Sequence, residues 1–129
     1  MENNDIKVLV VDDESDFRQV MTFWLQSKGY SVISASNGEN ALVMVKEQSP
    51  DIIFLDLNMP VMDGVESLKR IRKFNANVPV IFISAFVDDK RVNEAMGYGV
   101  SGVFYKGTDF QEGLSLLEAA LRTHKKLKK

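Results

Sequence analysis

Four places along the chain carry side chains able to do chemistry: the run Asp12-Asp13-Glu14, then Asp56, Ser84 and Lys106. Each has an ordinary explanation when taken alone. Asp12, Asp13 and Ser15 suit the start of a helix, where carboxylates and hydroxyls serve unpaired amides and the dipole. Asp56 follows the apolar run IIFL and marks a strand's exit toward solvent, Ser84 begins a turn, and Lys106 sits on a surface. As a set they offer something more specific. Three carboxylates brought within ~4–6 Å raise one another's pKa unless a cation lies between them. Oxygen ligands without His or Cys favour Mg²⁺, which takes one or two carboxylates together with phosphate oxygens and water. Once a metal and a lysine neutralise a phosphoryl group, a carboxylate can accept it as an aspartyl phosphate.

That chemistry requires a fold that gathers the four places. Residues 6–11 (IKVLVV) read as a strand, and Phe17, Val20, Met21, Trp24 and Leu25 then follow the spacing of one helix face. Gly29 closes that helix. Residues 31–36 form a weaker strand, and residues 38–48 a helix carrying Ala41, Leu42 and Val45. After Pro50, residues 51–57 (DIIFLDL) are apolar without alternation, as a strand covered on both faces must be. A third helix turns Val65, Leu68 and Ile71 inward; Pro79 opens a fourth buried strand, VIFIS. Residues 88–97 read as a short helix, residues 101–105 as a fifth strand, and the last helix begins near Asp109 and buries Phe110, Leu114, Leu117 and Leu121.

Five strands alternating with five helices imply a parallel sheet covered on both faces, in the flavodoxin-like order 2-1-3-4-5. Ligands of such sheets bind beyond the carboxyl ends of the strands, where the strand order reverses. The first strand ends at Asp12 and Asp13, the third at Asp56, the fourth at Ser84 and the fifth at Lys106. Strands one and three are neighbours in this order, so the acids meet at the reversal, flanked by the hydroxyl and the ammonium.

Bulk properties narrow the class further. The 129 residues, 45% hydrophobic and 26% charged, suit one globular domain over 1–129, with a core at about 6–121 and a basic tail at about 122–129. With no cysteine, disulfides, thiolate metal sites and cysteine nucleophiles are excluded. The acidic start MENNDIKVLVVDD has an apolar run of six residues, which is neither a signal peptide nor a membrane span, so a cytoplasmic location is expected. A net charge of −2 does not argue for a nucleic-acid surface over the whole domain, although the charge is uneven. The cations Arg122, Lys125, Lys126, Lys128 and Lys129 read as a helix end running into a solvated tail, with contact to an anionic partner as the alternative, and the single histidine, His124, lies among them, away from any chemistry.

The motifs VLVVDDE at 8–14, DLNMPVMDG at 56–64, SA at 84–85 and GVSGVFYKG at 99–107 resemble the receiver domains of two-component response regulators. The likeness runs from about Ile6 to Leu121, and D-x-x-M-P-x-M-D-G is its most specific part. It implies that Asp56 takes a phosphoryl group from the phosphohistidine of a sensor histidine kinase or phosphotransfer protein. It further implies that Asp12 and Asp13 hold Mg²⁺ with Asp56 and the backbone carbonyl of Asn58, that Ser84 hydrogen-bonds the phosphoryl group, and that Lys106 pairs with it. Pro60 and Gly64 shape the loop, and Met59 and Met62 pack. Such a domain is a signalling module rather than an enzyme: it catalyses only its own phosphorylation and dephosphorylation, and it addresses a downstream protein, with no contact to membrane or nucleic acid.

Two positions depart from the pattern. Val103 stands where the family usually has a Tyr or Phe that switches rotamer, and Gly107 follows the lysine where Pro in a cis peptide is usual. A cis bond before glycine costs ~3 kcal/mol, against ~0.5–1 before proline. Tyr105 shares Val103's strand face by period two, as packing or as a partial substitute. Other readings fit less well. A haloacid-dehalogenase-type phosphatase needs D-x-D after the first strand, and a flavodoxin-like cofactor site needs a phosphate loop where this chain has carboxylates. A degenerate receiver acting only as an adaptor would not keep the acid, hydroxyl and lysine set.

Overall fold

The computed structural model describes residues 5–124. Its strands are β1 (Lys7–Val11), β2 (Ser31–Ala35), β3 (Ile52–Asp56), β4 (Val80–Ser84) and β5 (Val100–Tyr105). The helices are α1 (Ser15–Ser27), α2 (Gly38–Gln48), α3 (Gly64–Arg72), α4 (Lys90–Ala95) and α5 (Phe110–Thr123). All strand pairs are parallel and the order is β2-β1-β3-β4-β5, as the alternation of strands and helices requires.

Alternation along the central strands sorts their side chains into two cores. Leu9, Val11, Ile53, Leu55, Val80 and Phe82 face one layer, completed by Ala41 and Val45 of α2, Val65, Leu68 and Ile71 of α3, and Ala95 of α4. Val8, Val10, Ile52, Phe54, Ile81 and Ile83 face the other, closed by Met21 and Leu25 of α1 and Leu114, Leu117 and Leu121 of α5. Every residue of β3 and β4 is buried, which is why neither shows a polar alternation. Between α1 and α5 the rings of Phe17, Phe104 and Phe110 lie 5.9–6.5 Å apart, and Trp24 stacks on Phe110 at 5.6 Å.

The structure corrects two details. Val20 is not part of the inward face of α1; it is 54% exposed, because the buried stripe turns on Met21 and Leu25 while Phe17 and Trp24 are half-buried. The helix expected over 88–97 shrinks to α4 followed by a single 3₁₀ turn, Met96–Tyr98. Asp88 adopts φ 63, which no helix accommodates, so Asp89 becomes the cap, its side chain accepting from the Arg91 amide. No peptide bond among the described residues is cis. Gly107 instead has φ 92, a left-handed conformation closed to proline, whose ring holds φ near about −65°. The basic residues Lys125, Lys126, Lys128 and Lys129 lie outside the described residues.

Candidate functional site

Each candidate side chain sits where a strand ends. β1 delivers Asp12 and Asp13, β3 ends on Asp56, β4 on Ser84, and Lys106 follows β5 directly. The sheet therefore brings together Asp12, Asp13 and Asp56, with ligand oxygens within 4.8 Å of one another. Asp12 and Asp56 are buried and Asp13 is exposed, so the cluster opens to solvent on one side only.

The hydrogen bonds show how these acids are held. Asp12 Oδ1 accepts from the Glu14 amide at 2.8 Å, which fixes the turn into α1; the helix cap itself, Glu14, makes no side-chain cap bond. Capping thus accounts for one oxygen of Asp12 and not the other. Oδ2 is buried without a hydrogen bond, its contact at 3.1 Å with Lys106 Nζ being an ion pair outside hydrogen-bond geometry. Asp56 Oδ1 accepts from the Asn58 amide at 3.1 Å. Lys106 Nζ binds Glu14, pairs with Asp12, lies 3.9 Å from Asp56 Oδ2, and rests 4.8 Å from the centre of the Phe17 ring.

The electrostatics follow from this crowding. Burial pushes the Asp56 carboxyl up to about 7, the Asn58 amide and Lys106 pull it back, and the charge of Asp12 raises it further. Asp12 is also raised, chiefly by burial, despite the Glu14 amide and Lys106. Burial would lower Lys106, but Glu14, Asp12 and Asp56 together hold it above the ordinary lysine range. One ammonium faces three carboxylates and Glu14. A hard divalent cation suits that balance: the donors are all oxygen, and Asp12 Oδ2 is buried with no hydrogen bond, its charge met by the Lys106 ammonium that the other acids share.

The loop from β3 to α3 is shaped by close approach. A Cβ on Gly64 would lie 2.5 Å from the Asp56 carbonyl oxygen, so only glycine lets α3 begin there. The Gly64 amide donates to the Leu57 carbonyl at 3.0 Å, and Asp63 caps α3 through the Glu66 amide at 2.9 Å. Met59 and Met62 are buried, as packing residues should be. Val61, fully exposed with φ 70, is the strained point of the loop. Ser84, the buried end of β4, has its hydroxyl turned onto its own loop: Oγ donates to the Phe86 carbonyl at 2.8 Å and accepts from the Phe86 amide at 3.1 Å.

A family model described as the response regulator receiver domain matches residues 8–118, which include every one of these side chains. This chain belongs to that family. As a family, receiver domains serve signalling and accept phosphate from histidine kinases. The receiver is 34% identical over 106 residues to sporulation initiation phosphotransferase F of Bacillus subtilis, covering 82% of this chain and 86% of that one. It is 35% identical over 124 residues to the transcriptional regulatory protein ZraR of Klebsiella oxytoca, covering 95% of this chain but 28% of that protein. The receiver thus spans about a quarter to a third of several of the curated relatives it matches. Among solved structures, the Vibrio cholerae chemotaxis protein CheY4 superposes with a TM-score of 0.82 at 32% identity, over 90% of this chain and 98% of that one.

Three residues of this receiver's site gave no signal in sequence. Arg18 donates to the Asp12 carbonyl at 2.7 Å; Arg91 reaches the Leu57 carbonyl at 3.2 Å and Asn58 Oδ1 at 3.3 Å; and Asp89 holds Arg91. Arg18 and Arg91 act through backbone carbonyls that spacing along the chain does not encode, and Asp89 matters only through the Arg91 it grips.

Proposed function

We propose that Asp56 is the phosphoacceptor of this receiver and that Asp12, Asp13, Asp56 and the Asn58 carbonyl hold Mg²⁺ beside it. The observation that carries this reading is the convergence of three carboxylates, one with a buried oxygen that accepts no hydrogen bond, at the neighbouring ends of β1 and β3. When bound, the metal supplies the positive charge that lets carboxylates and phosphoryl oxygens share the site.

The chain's own groups do the rest. An Asp56 carboxylate oxygen attacks the phosphorus of a phosphohistidine on a sensor histidine kinase or phosphotransfer protein; the O–P bond forms as the N–P bond breaks, and the imidazole departs with the bonding pair. The Asn58 amide keeps Asp56 oriented for attack. Lys106, poised between Asp12 and Asp56, neutralises the charge brought in with the phosphoryl group. Ser84 donates to a phosphoryl oxygen, and its single proton must then leave the Phe86 carbonyl. Occupation of the site thereby releases the loop that leads to α4. Phe86 is 63% exposed and Tyr105 half-buried beside Asp88, Asp89 and Val92, so these rings repack where Val103 is too short to move. The altered surface is read by a downstream protein. This function belongs to the receiver domain and is exerted through other proteins. Among the described residues no helix is long and apolar enough to cross a membrane.

Incubation with Mg²⁺ and acetyl phosphate should add one phosphoryl group by intact mass, and Asp56→Asn should add none. Full labelling of that variant would move the acceptor elsewhere.

A further inference from the structure

Two loops border the acceptor: the one after Asp56, which carries Asn58, and the one after Ser84, which leads to α4. Each contains a non-glycine residue in the left-handed region, Val61 at φ 70 and Asp88 at φ 63, so neither relaxes into an ordinary turn. The Arg91 side chain joins them. The Arg91 guanidinium is gripped on one edge by Asp89, Nε to Oδ1 at 3.0 Å and Nη2 to Oδ2 at 2.7 Å, the two-pronged geometry available to arginine and not to lysine. Its remaining nitrogen, Nη1, crosses to the other loop and donates to the Leu57 carbonyl and Asn58 Oδ1. That carbonyl also accepts from the Gly64 amide, so Arg91 completes the acceptor that closes the 57–64 loop. Arg91 is 31% and Asp89 11% exposed at the side chain, half-withdrawn from water rather than splayed on the surface.

We propose that Arg91 is a positioning residue of the phosphoryl-transfer site, fixing Asn58 from α4 and so tying the acceptor loop to the helix that must respond to it. Asn58 has two duties at Asp56: its amide holds the carboxylate, and on the reading given above its carbonyl completes the metal site, a part of the argument that rests on that reading. Nothing in Arg91 touches Asp56 chemistry directly. Its leverage is geometric: a loop displaced at Asn58 moves both the amide and the carbonyl, and a displaced α4 pulls Asn58. The same strap works in both directions, as coupling between sites must.

An alternative assigns Arg91 only to the helix, as a partner of its own cap. Arg91→Lys separates the two. Lysine keeps the charge, and its backbone amide still donates to the Asp89 cap, but it cannot grip Asp89 with two prongs while reaching Leu57. Hydrogen exchange on the full chain without metal should show residues 58–64 losing protection about tenfold in Arg91→Lys, while 92–95 keep theirs. Unchanged protection at 58–64 would overturn the strap, whatever the site does with metal. Magnesium affinity, read from the concentration dependence of Tm, should fall by about tenfold, the usual scale for loss of an outer partner of a metal ligand. A wild type that responds to Mg²⁺ with an Arg91→Lys variant of equal affinity overturns the positioning role. A wild type without any response instead defeats the metal reading, and the exchange data still decide the strap.

Discussion

The two sides of the site are built differently. On the acid side, Asp12 and Asp56 grow from strands buried to the last residue, and each carboxylate is fixed by an amide two positions along. On the responsive side, Ser84 leads into an exposed loop of Phe86, Val87 and Asp88, then into a helix of six residues. That helix is held to the α3 side by side chains: Lys69 to Glu94 at 2.8 Å, Arg91 to the 57–58 loop, and Arg72 to the Tyr98 and Gly99 carbonyls beyond it. Rigid strand ends keep the chemistry in register, whereas polar links can exchange partners at modest free-energy cost. Both kinds of support meet at Lys106, whose ammonium pairs with Asp12 and whose amide donates to the Ser84 carbonyl at 2.8 Å.

The acid side gives the largest expected effect. The Asp56 carboxyl has its ordinary value of 3.8 in the unfolded chain and about 7 in the native protein, so the native state holds more protons between those pH values. Stability of the metal-free protein therefore falls as pH rises from about 4 to 7, by up to the order of 4 kcal/mol at 1.36 kcal/mol per unit. Asp56→Asn should flatten that fall, and chemical denaturation at pH 5 and pH 8 measures it. An equally steep fall in the variant would assign the strain to another group.

Metal comes next in size. Mg²⁺ at 100 times its Kd should stabilise the native protein by about 2.7 kcal/mol, seen as a higher Tm. Asp13→Ala should remove most of that gain, although Asp13 is the exposed member of the cluster. An undiminished response would show that the two buried acids suffice.

The responsive side gives the smallest and most local effect. Ser84→Ala deletes both bonds to Phe86, worth about 1 kcal/mol each. Beryllofluoride should alter hydrogen exchange over 85–105 in the wild type and much less in Ser84→Ala. Equal changes in both proteins would mean that the loop answers to Lys106 rather than to the hydroxyl.

Much of the acid side was legible in the sequence because its signals are periodic. Unbroken apolar runs give buried strands, and reading only their carboxyl ends yields Asp12, Asp13, Asp56, Ser84 and Lys106. The strand order then decides which of them meet. The responsive side resisted for a physical reason. Asp88 breaks the helical pattern through a dihedral that aspartate tolerates, and Arg91 finds its acceptor 34 residues away, on a backbone carbonyl common to every sequence. Nor does a serine at a strand end reveal that its hydroxyl is already engaged by its own loop.

The aromatic seam between α1 and α5 has an optical consequence. Lys106 rests on Phe17, Phe17 meets Phe110 at 5.9 Å, and Phe110 stacks on Trp24, the single tryptophan in the chain. Any event that draws the ammonium off its ring toward a phosphoryl group changes the packing at one end of this short stack of rings. The indole stands at the other end. If the lysine moves, Trp24 emission should change on addition of beryllofluoride with Mg²⁺ and stay unchanged in Asp56→Asn, a test that needs no label.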